Sequence, residues 1–302
     1  MRLLITGAFK YTDEQIEYFK SVGFDVTFVQ DERVKLDIDV SGFDAVICNS
    51  LFVNNDIKDF ENLKYIQALS AGLDRLPLDY IQQKGIALFN ARGVYSIPMA
   101  EFALCGILEL YKQSGFYFEN QKAHKWNKHR GLLELYGKEA LIVGAGSIGT
   151  EIAKRLSAFG VTVYGIDISP YYCESYEEMY PLDLLDERLE SADIVALSTP
   201  LTEKTKGLFD ASKFRIMKNA AVLVNLSRGA VVNENDLITA LEEKTIGGAV
   251  LDVFETEPLS EASPLWDMQN VILTPHTSFI GENNNERMFE VIKKNMERFI
   301  NE

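Results

Sequence analysis

The sequence is poor in the residues that would tie it to a metal, a membrane or a polyanion. It holds three cysteines, Cys48, Cys105 and Cys173, far apart and odd in number. No pair has metal-ligand spacing, so neither a disulfide framework nor a metal site is expected, and reduced thiols suit a cytoplasmic protein. Basic residues are outnumbered, 30 Lys+Arg against 45 Asp+Glu, for a formal charge of -15. Nucleic-acid binding draws most of its affinity from neutralised phosphates, so a chain this acidic repels such a partner on average. One basic run interrupts the pattern: Lys122, His124, Lys125, Lys128, His129 and Arg130. It reads as a solvated surface segment. No stretch approaches the roughly 18 consecutive apolar residues of a membrane span. The opening Met1-Arg2-Leu3-Leu4-Ile5-Thr6-Gly7 carries too short an apolar run for a signal peptide, so no membrane or secretory role is expected.

What is present is ordinary globular material, 47% hydrophobic and 25% charged. At roughly 150 residues per domain, 302 residues suggest two domains. Short apolar runs alternate with helical patterns throughout, which implies βαβ units and parallel sheets. The first set places strands at 3–5, 26–29, 45–48, 65–68 and 86–89. Thr12 and Gln15 have capping-box spacing at the start of its first helix, and Gly23 ends that helix. A long apolar helix opens near Pro98, where proline is tolerated, and runs to Tyr111. The second set places strands at 141–143, 161–166, 194–197, 221–224, 248–251 and 271–273. Ile148, Ile152, Leu156 and Phe159 give a helical stripe closed by Gly160. A final helix over about 286–300 packs back on the first set. The expected fold is α/β with two doubly wound parallel-sheet domains. A flavodoxin-like substrate domain spans 1–97 plus 278–302, a Rossmann dinucleotide-binding domain spans 98–277, and a cleft lies between them.

Gly144-Ala145-Gly146-Ser147-Ile148-Gly149 follows a strand and opens a helix. Gly144 allows a tight turn, Gly146 lets a pyrophosphate approach the backbone, and Gly149 lets helix and strand pack closely. The helix start then offers free N–H groups and a positive dipole end to phosphate. Asp167 follows the next strand, near the interval of about 20 residues at which an acid meets the ribose hydroxyls. A carboxylate there repels a 2′-phosphate, so the expected cofactor is NAD rather than NADP.

Ligands of open α/β sheets bind beyond the carboxyl ends of the strands. Those ends carry Asp167, Ser198-Thr199-Pro200, Asn225-Leu226-Ser227-Arg228, Asp252 and His276. Of the three histidines, His276 alone lies outside the basic run, just past a buried strand. Histidine is the natural proton donor or acceptor near neutrality. Arg228 can grip a carboxylate through paired hydrogen bonds. An acid beside His276 would orient the ring and favour its protonated form. Glu257 is a candidate, but sequence separation does not bring it there. Tyr80 and Lys84 have the Tyr-x-x-x-Lys spacing of short-chain reductases, yet they precede the glycine fingerprint, the reverse of the order in those enzymes.

From Ser70 to His276 the chain resembles the D-isomer-specific, NAD-dependent 2-hydroxyacid dehydrogenases, which include phosphoglycerate dehydrogenase and the glyoxylate/hydroxypyruvate reductases. The resemblance rests on Ser70-Ala71-Gly72-Leu73-Asp74, Tyr95-Ser96-Ile97-Pro98-Met99-Ala100-Glu101, the glycine fingerprint and Asn225-Leu226-Ser227-Arg228-Gly229. It continues through Leu251-Asp252-Val253-Phe254, Glu257-Pro258 and Thr274-Pro275-His276. It implies a catalytic set falling on Arg228, Glu257 and His276, with Asp252 beside the nicotinamide carboxamide. The implied cofactor-binding positions are Gly144, Gly146, Ser147, Ile148, Gly149, Asp167, Thr199, Pro200, Leu226, Ser227, Asp252 and His276. The substrate carboxylate is implied to meet the amides of Ala71 and Gly72, with Tyr95 and Arg228 also touching substrate. The implied partner is a small 2-keto or 2-hydroxy acid, and the implied assembly is a homodimer through the helix from Pro98 and the segment around Trp126.

Two local features stand apart from this pattern. The loop after His276 ends in an acidic, Asn-rich stretch, Glu282-Asn283-Asn284-Asn285, unlike the family. Leu51 and Phe52 follow a first-domain strand and are expected to line a pocket for a small or apolar substituent. The first domain shows no obvious phosphate cradle, so a phosphorylated substrate is left open but not indicated, and with the chain ending at Glu302 no appended regulatory domain is expected. A reading from another class is a non-catalytic NAD(H)-sensing interaction protein built on the same fold.

Overall fold

The structure, a computed structural model, describes residues 1–301. The chain forms two compact units, one made of Met1–Tyr95 with the chain from Gly281 on, the other of Ser96–Ile280.

The first unit runs β1 (Arg2–Thr6), α1 (Asp13–Ser21), β2 (Asp25–Val29), β3 (Ala45–Cys48), α2 (Leu51–Asn54), β4 (Tyr65–Ala68), α3 (Leu78–Lys84) and β5 (Ala87–Phe89). Its sheet has the order β2-β1-β3-β4-β5, and every pair is parallel. β3 and β4 are buried at every position, as expected of inner strands covered on both faces. The capping box at α1 forms: Thr12 Oγ1 accepts from the Gln15 amide, and Gln15 Oε1 accepts from the Thr12 amide. The C-terminal helix (Asn284–Asn301) buries Met288, Ile292 and Met296 in the same core as Leu3, Ile5, Phe19 and Tyr65. It begins two residues before the position expected from the sequence. The Asn-rich stretch that stands apart from the family is therefore a helix start, where asparagine is well suited to capping.

The second unit opens with α4 (Ser96–Tyr111) and α5 (Ser114–Lys122). It continues through β6 (Glu139–Val143), α6 (Ser147–Ala158), β7 (Thr162–Ile166), β8 (Glu178–Tyr180), α7 (Leu185–Leu189) and β9 (Ile194–Leu197). The remaining elements are α8 (Ala211–Ile216), β10 (Val222–Asn225), α9 (Glu234–Glu242), β11 (Gly248–Leu251) and β12 (Val271–Leu273). Its parallel sheet is ordered β12-β11-β10-β9-β6-β7-β8. The chain reverses its direction of growth between β6 and β9, and that gap is the switch point at which such sheets bind ligands.

Three expectations need correction. β8 has no counterpart in the sequence reading: it is a three-residue edge strand, too short to show a period. Phe159 does not belong to the buried stripe of α6 and is 46% exposed, because the helix ends at Ala158 and the next residue leaves its face. Leu51 does not line a pocket: it is fully buried in the core with Phe43, Val46 and Ile66, and Phe52 packs against that core and the ring of Phe60.

Candidate active site

The glycine loop sits at the switch point. Gly144 has φ +93, and a Cβ there would stand 2.6 Å from the Thr199 amide nitrogen, so the turn and the close approach both demand glycine. At Gly149 a Cβ would meet the Gly144 carbonyl oxygen at 2.4 Å, which couples α6 tightly to the turn. A Cβ at Gly146 would meet nothing within 4 Å, leaving space above the start of α6. Ser147 and Ile148 form the first turn of that helix. Ser198 Oγ donates to the Gly144 carbonyl (2.6 Å) and ties the ends of β6 and β9 together. Thr199 is half-buried and Pro200 exposed beside it. Asp167 directly follows β7, and its Oδ1 accepts from the Ser169 amide (3.0 Å).

Tyr171 is a residue that sequence reasoning missed. Its hydroxyl donates to the Ala145 carbonyl (2.6 Å) inside the glycine loop, and it belongs to an aromatic hollow with Tyr172 and Tyr176. The Pro170-Tyr171-Tyr172 cluster just past Asp167 was the available signal.

Beyond β11 and β12, the chain is organised around one buried acid. Asp252 has no exposed surface. Its Oδ1 accepts from Thr274 Oγ1 (2.7 Å) and the Thr277 amide (2.8 Å), and its Oδ2 from the Ser278 amide (2.9 Å). The His276 amide donates to the Asp252 carbonyl (2.8 Å). The loop thus wraps the carboxylate and holds His276 at φ +49, a left-handed conformation that histidine tolerates better than most side chains. His276 Nδ1 lies 2.8 Å from Glu257 Oε2. Glu257 is itself fixed, since its Oε1 accepts from the Phe254 amide (3.1 Å).

Arg228 follows β10, which ends one residue later than the sequence pattern indicates, at Asn225. That asparagine is buried: Oδ1 accepts from the Ser227 amide and hydroxyl, and Nδ2 donates to the Arg228 carbonyl. Leu226 and Ser227 are buried too, so Leu226 reaches a ligand only through its backbone. Arg228 Nη1 donates to the Ser227 carbonyl (2.8 Å), which orients the guanidinium. A Cβ at Gly229 would lie 1.9 Å from the Phe254 carbonyl carbon, so the Arg228 and Glu257 loops meet backbone to backbone there. This approach gathers Arg228, Glu257 and His276 at one edge of the sheet.

In the first unit, Ala71 and Gly72 follow β4. Their carbonyls accept from Asn90 Nδ2 (2.8 Å) and Ser70 Oγ (2.6 Å), while neither amide donates within this unit among the described residues. Tyr95 donates its hydroxyl to the Leu69 carbonyl (2.6 Å), and burial pushes its phenol up to about 12, so it stays neutral. Tyr80 and Lys84 lie on α3 of this unit, with the ammonium over the Tyr80 ring, and the glycine loop belongs to the other unit. The three thiols are unpaired, and burial pushes the Cys48 thiol up, which makes it inert. No described helix is long and apolar enough to cross a membrane.

A Rossmann-type sheet with this glycine loop defines a dinucleotide-binding class of protein, and an oriented histidine–carboxylate pair is chemistry that an oxidoreductase of that class can use. Comparison with known proteins narrows the class. Residues 104–278 match the model of the D-isomer specific 2-hydroxyacid dehydrogenase NAD-binding domain. The chain is 32% identical to (S)-sulfolactate dehydrogenase of Chromohalobacter salexigens over 283 residues, 92% of this chain and 91% of that one. It is 35% identical to glyoxylate reductase of Thermofilum pendens over 241 residues, 78% of this chain and 71% of the relative. A solved D-isomer specific 2-hydroxyacid dehydrogenase family protein of Aeromonas salmonicida superposes with a TM-score of 0.81 at 30% identity, covering 99% of this chain and 95% of that one. The chain belongs to the D-isomer specific 2-hydroxyacid dehydrogenases, a membership that implies NAD(P)-dependent 2-hydroxyacid dehydrogenase activity.

Proposed function

We propose that the protein is an NAD-dependent reductase of a small 2-keto acid, forming the D-2-hydroxy acid, with Arg228, Glu257 and His276 as its catalytic residues. The observation that carries this reading is the 2.8 Å contact between His276 Nδ1 and Glu257 Oε2. With Nδ1 committed to the carboxylate, Nε2 is the nitrogen left for substrate. The residues fit a dinucleotide: open space over Gly146 accepts a pyrophosphate at the start of α6, and Asp167 accepts from ribose hydroxyls. A bound dihydronicotinamide supplies the hydride that reduces C2 of the keto acid. Doubly protonated His276 then donates from Nε2 to the developing alkoxide, and Glu257 stabilises the imidazolium through Nδ1–H. In the oxidative direction the neutral ring accepts the proton at Nε2. Arg228 holds the substrate carboxylate and carbonyl and offsets the growing negative charge. The uncommitted amides of Ala71 and Gly72 support a carboxylate-binding role for that loop.

The test is NADH consumption with glyoxylate, hydroxypyruvate, pyruvate, 2-oxobutyrate and phenylpyruvate, with NADPH run in parallel. Turnover preferring NADH is expected. Tight NADH binding with no turnover on any acid would replace this reading by that of an NAD(H) sensor.

Two further expectations arise here. Asp167 repels a 2′-phosphate, so Asp167→Ala narrows the preference of kcat/KM for NADH over NADPH by about tenfold or more, the effect of removing one close like-charge contact. A preference unchanged in that variant would remove Asp167 from cofactor selection. The second unit exposes Trp126 (95%), Tyr136 (81%), Leu132 (40%) and Leu133 (39%). Apolar exposure of this kind supports a homodimer through that unit. Light scattering is expected to give twice the chain mass, and a monomer at micromolar concentration would refute it.

A further inference from the structure

The first unit carries an arginine for which its own fold has little use. Arg75 is exposed, on the loop that follows β4 and the Ala71–Gly72 amides. Its Nη1 donates to Ser50 Oγ at 3.3 Å, a long hydrogen bond, and among the described residues the guanidinium joins no ion pair. Exposed ion pairs contribute little to stability, so a guanidinium held only by one long hydrogen bond is at small cost turned to a ligand.

Its placement follows from strand register. β3 and β4 pair side by side with Cys48 opposite Ala68, so the two loops beyond them leave the sheet together. One presents Ser50, the other Ala71, Gly72 and Arg75. The nearest buried charge, Glu32, is already saturated: its carboxylate accepts from Thr6 Oγ1 and from the amides of Asn49 and Ser50. That leaves the Ser50 hydroxyl, rather than its amide, for Arg75 or a ligand. Two donor sets therefore stand next to each other at the carboxyl edge of one sheet: paired backbone amides, and a guanidinium with a hydroxyl.

We infer that Arg75 and Ser50 form a subsite for a second anionic group on the substrate, so that the preferred 2-keto acids carry a carboxylate, sulfonate or phosphate in addition to the C1 carboxylate. The inference rests on the proposed reductase reading, and it names the substrate class of that site. With the C1 carboxylate on the amides of Ala71 and Gly72, a C3 substituent extends toward the neighbouring strand, whose loop brings Ser50. A guanidinium matches the oxyanion geometry of all three groups through paired N–H donors. In a chain with a formal charge of -15, a guanidinium outside any ion pair is also a place to which a dianion is drawn. Of the two residues expected to line a small or apolar pocket, the core has taken up Leu51, while Phe52 stays half-buried beside it.

The test compares kcat/KM for oxaloacetate, 3-sulfopyruvate and 3-phosphohydroxypyruvate with that for pyruvate and 2-oxobutyrate, in the wild type, Arg75→Gln and Arg75→Lys. The wild type is expected to favour at least one dianion at low ionic strength and to lose that preference in high salt. In Arg75→Gln the ratio of dianion to monoanion kcat/KM falls at least tenfold, chiefly through KM, and Arg75→Lys recovers part of it. The ranking of the three dianions distinguishes carboxylate, sulfonate and phosphate as the group bound. Turnover of monoanions with no dianion preferred, or a ratio that Arg75→Gln leaves unchanged, overturns the subsite and leaves the reductase reading standing. Absence of turnover on every acid removes the reductase reading and the subsite with it.

Discussion

Replacing His276 by Ala is expected to lower kcat by about 10²–10⁴-fold, the usual contribution of a positioned acid/base, with NADH affinity nearly unchanged. In the proposed mechanism the imidazole is the group that meets substrate, while the loop carrying it is held by backbone and by Asp252, which the substitution leaves in place. One confounding effect has to be separated. His276 sits at φ +49, where alanine is disfavoured by roughly 1–2 kcal/mol, so some loss could come from a loop that has relaxed. His276→Asn removes that ambiguity, because asparagine tolerates the left-handed region and cannot act as an acid near neutrality. Both variants are expected to show the same fall in kcat, with NADH binding followed by fluorescence titration. Near-normal turnover in His276→Asn would falsify the assignment of His276 as the proton donor.

The second large effect belongs to a residue that changes no proton. Asp252→Asn keeps the size of the side chain but exchanges one acceptor oxygen for a donor NH₂. In the native loop, Oδ1 meets Thr274 Oγ1 and the Thr277 amide, and Oδ2 meets the Ser278 amide. Whichever way the asparagine is turned, its NH₂ faces a backbone N–H in a site with no solvent exposure. A buried donor left without an acceptor costs about 1–3 kcal/mol, and a repelling donor adds to that. The loop from 274 to 278 is expected to shift, taking His276 off Glu257. The measured result is a kcat at least tenfold lower together with a fall of several degrees in Tm, since ~1 kcal/mol moves Tm by about 2–4 °C in a chain of this size. Asp252→Ala should be worse for stability, because all three donors then lose their acceptor. An Asp252→Asn protein with wild-type Tm and kcat would show that the buried carboxylate is not what positions the histidine.

These two residues were not equally legible. His276 stood out by position and scarcity, past a strand and apart from the other two histidines. Asp252 could be seen at a strand end, but nothing in the sequence showed that its carboxylate is enclosed by the loop it supports. Leu51 and Phe159 misled for a related reason: each was placed by proximity to an element, and burial depends on which face that element turns inward. β8 escaped because a three-residue edge strand is made by its neighbour's free backbone groups rather than by a pattern of its own. Ser50 and Arg75 stand 25 residues apart in the chain and meet only because β3 and β4 are adjacent.

The sequence by itself determined the inner strands, the capped first helix, the glycine turn and the strand-end positions of Asp167, Arg228, Asp252 and His276. These follow from local rules: apolar runs that suit buried strands, turn residues set by φ, and βα units that leave ligand-facing positions just past each strand. Only the tertiary structure decided that Glu257 reaches His276 across 19 residues, that the 277 and 278 amides close on Asp252, and that Gly229 brings two loops into backbone contact. Those contacts depend on the register of parallel strands and on loops whose path their own residues do not encode, because each loop is held by hydrogen bonds to residues far along the chain.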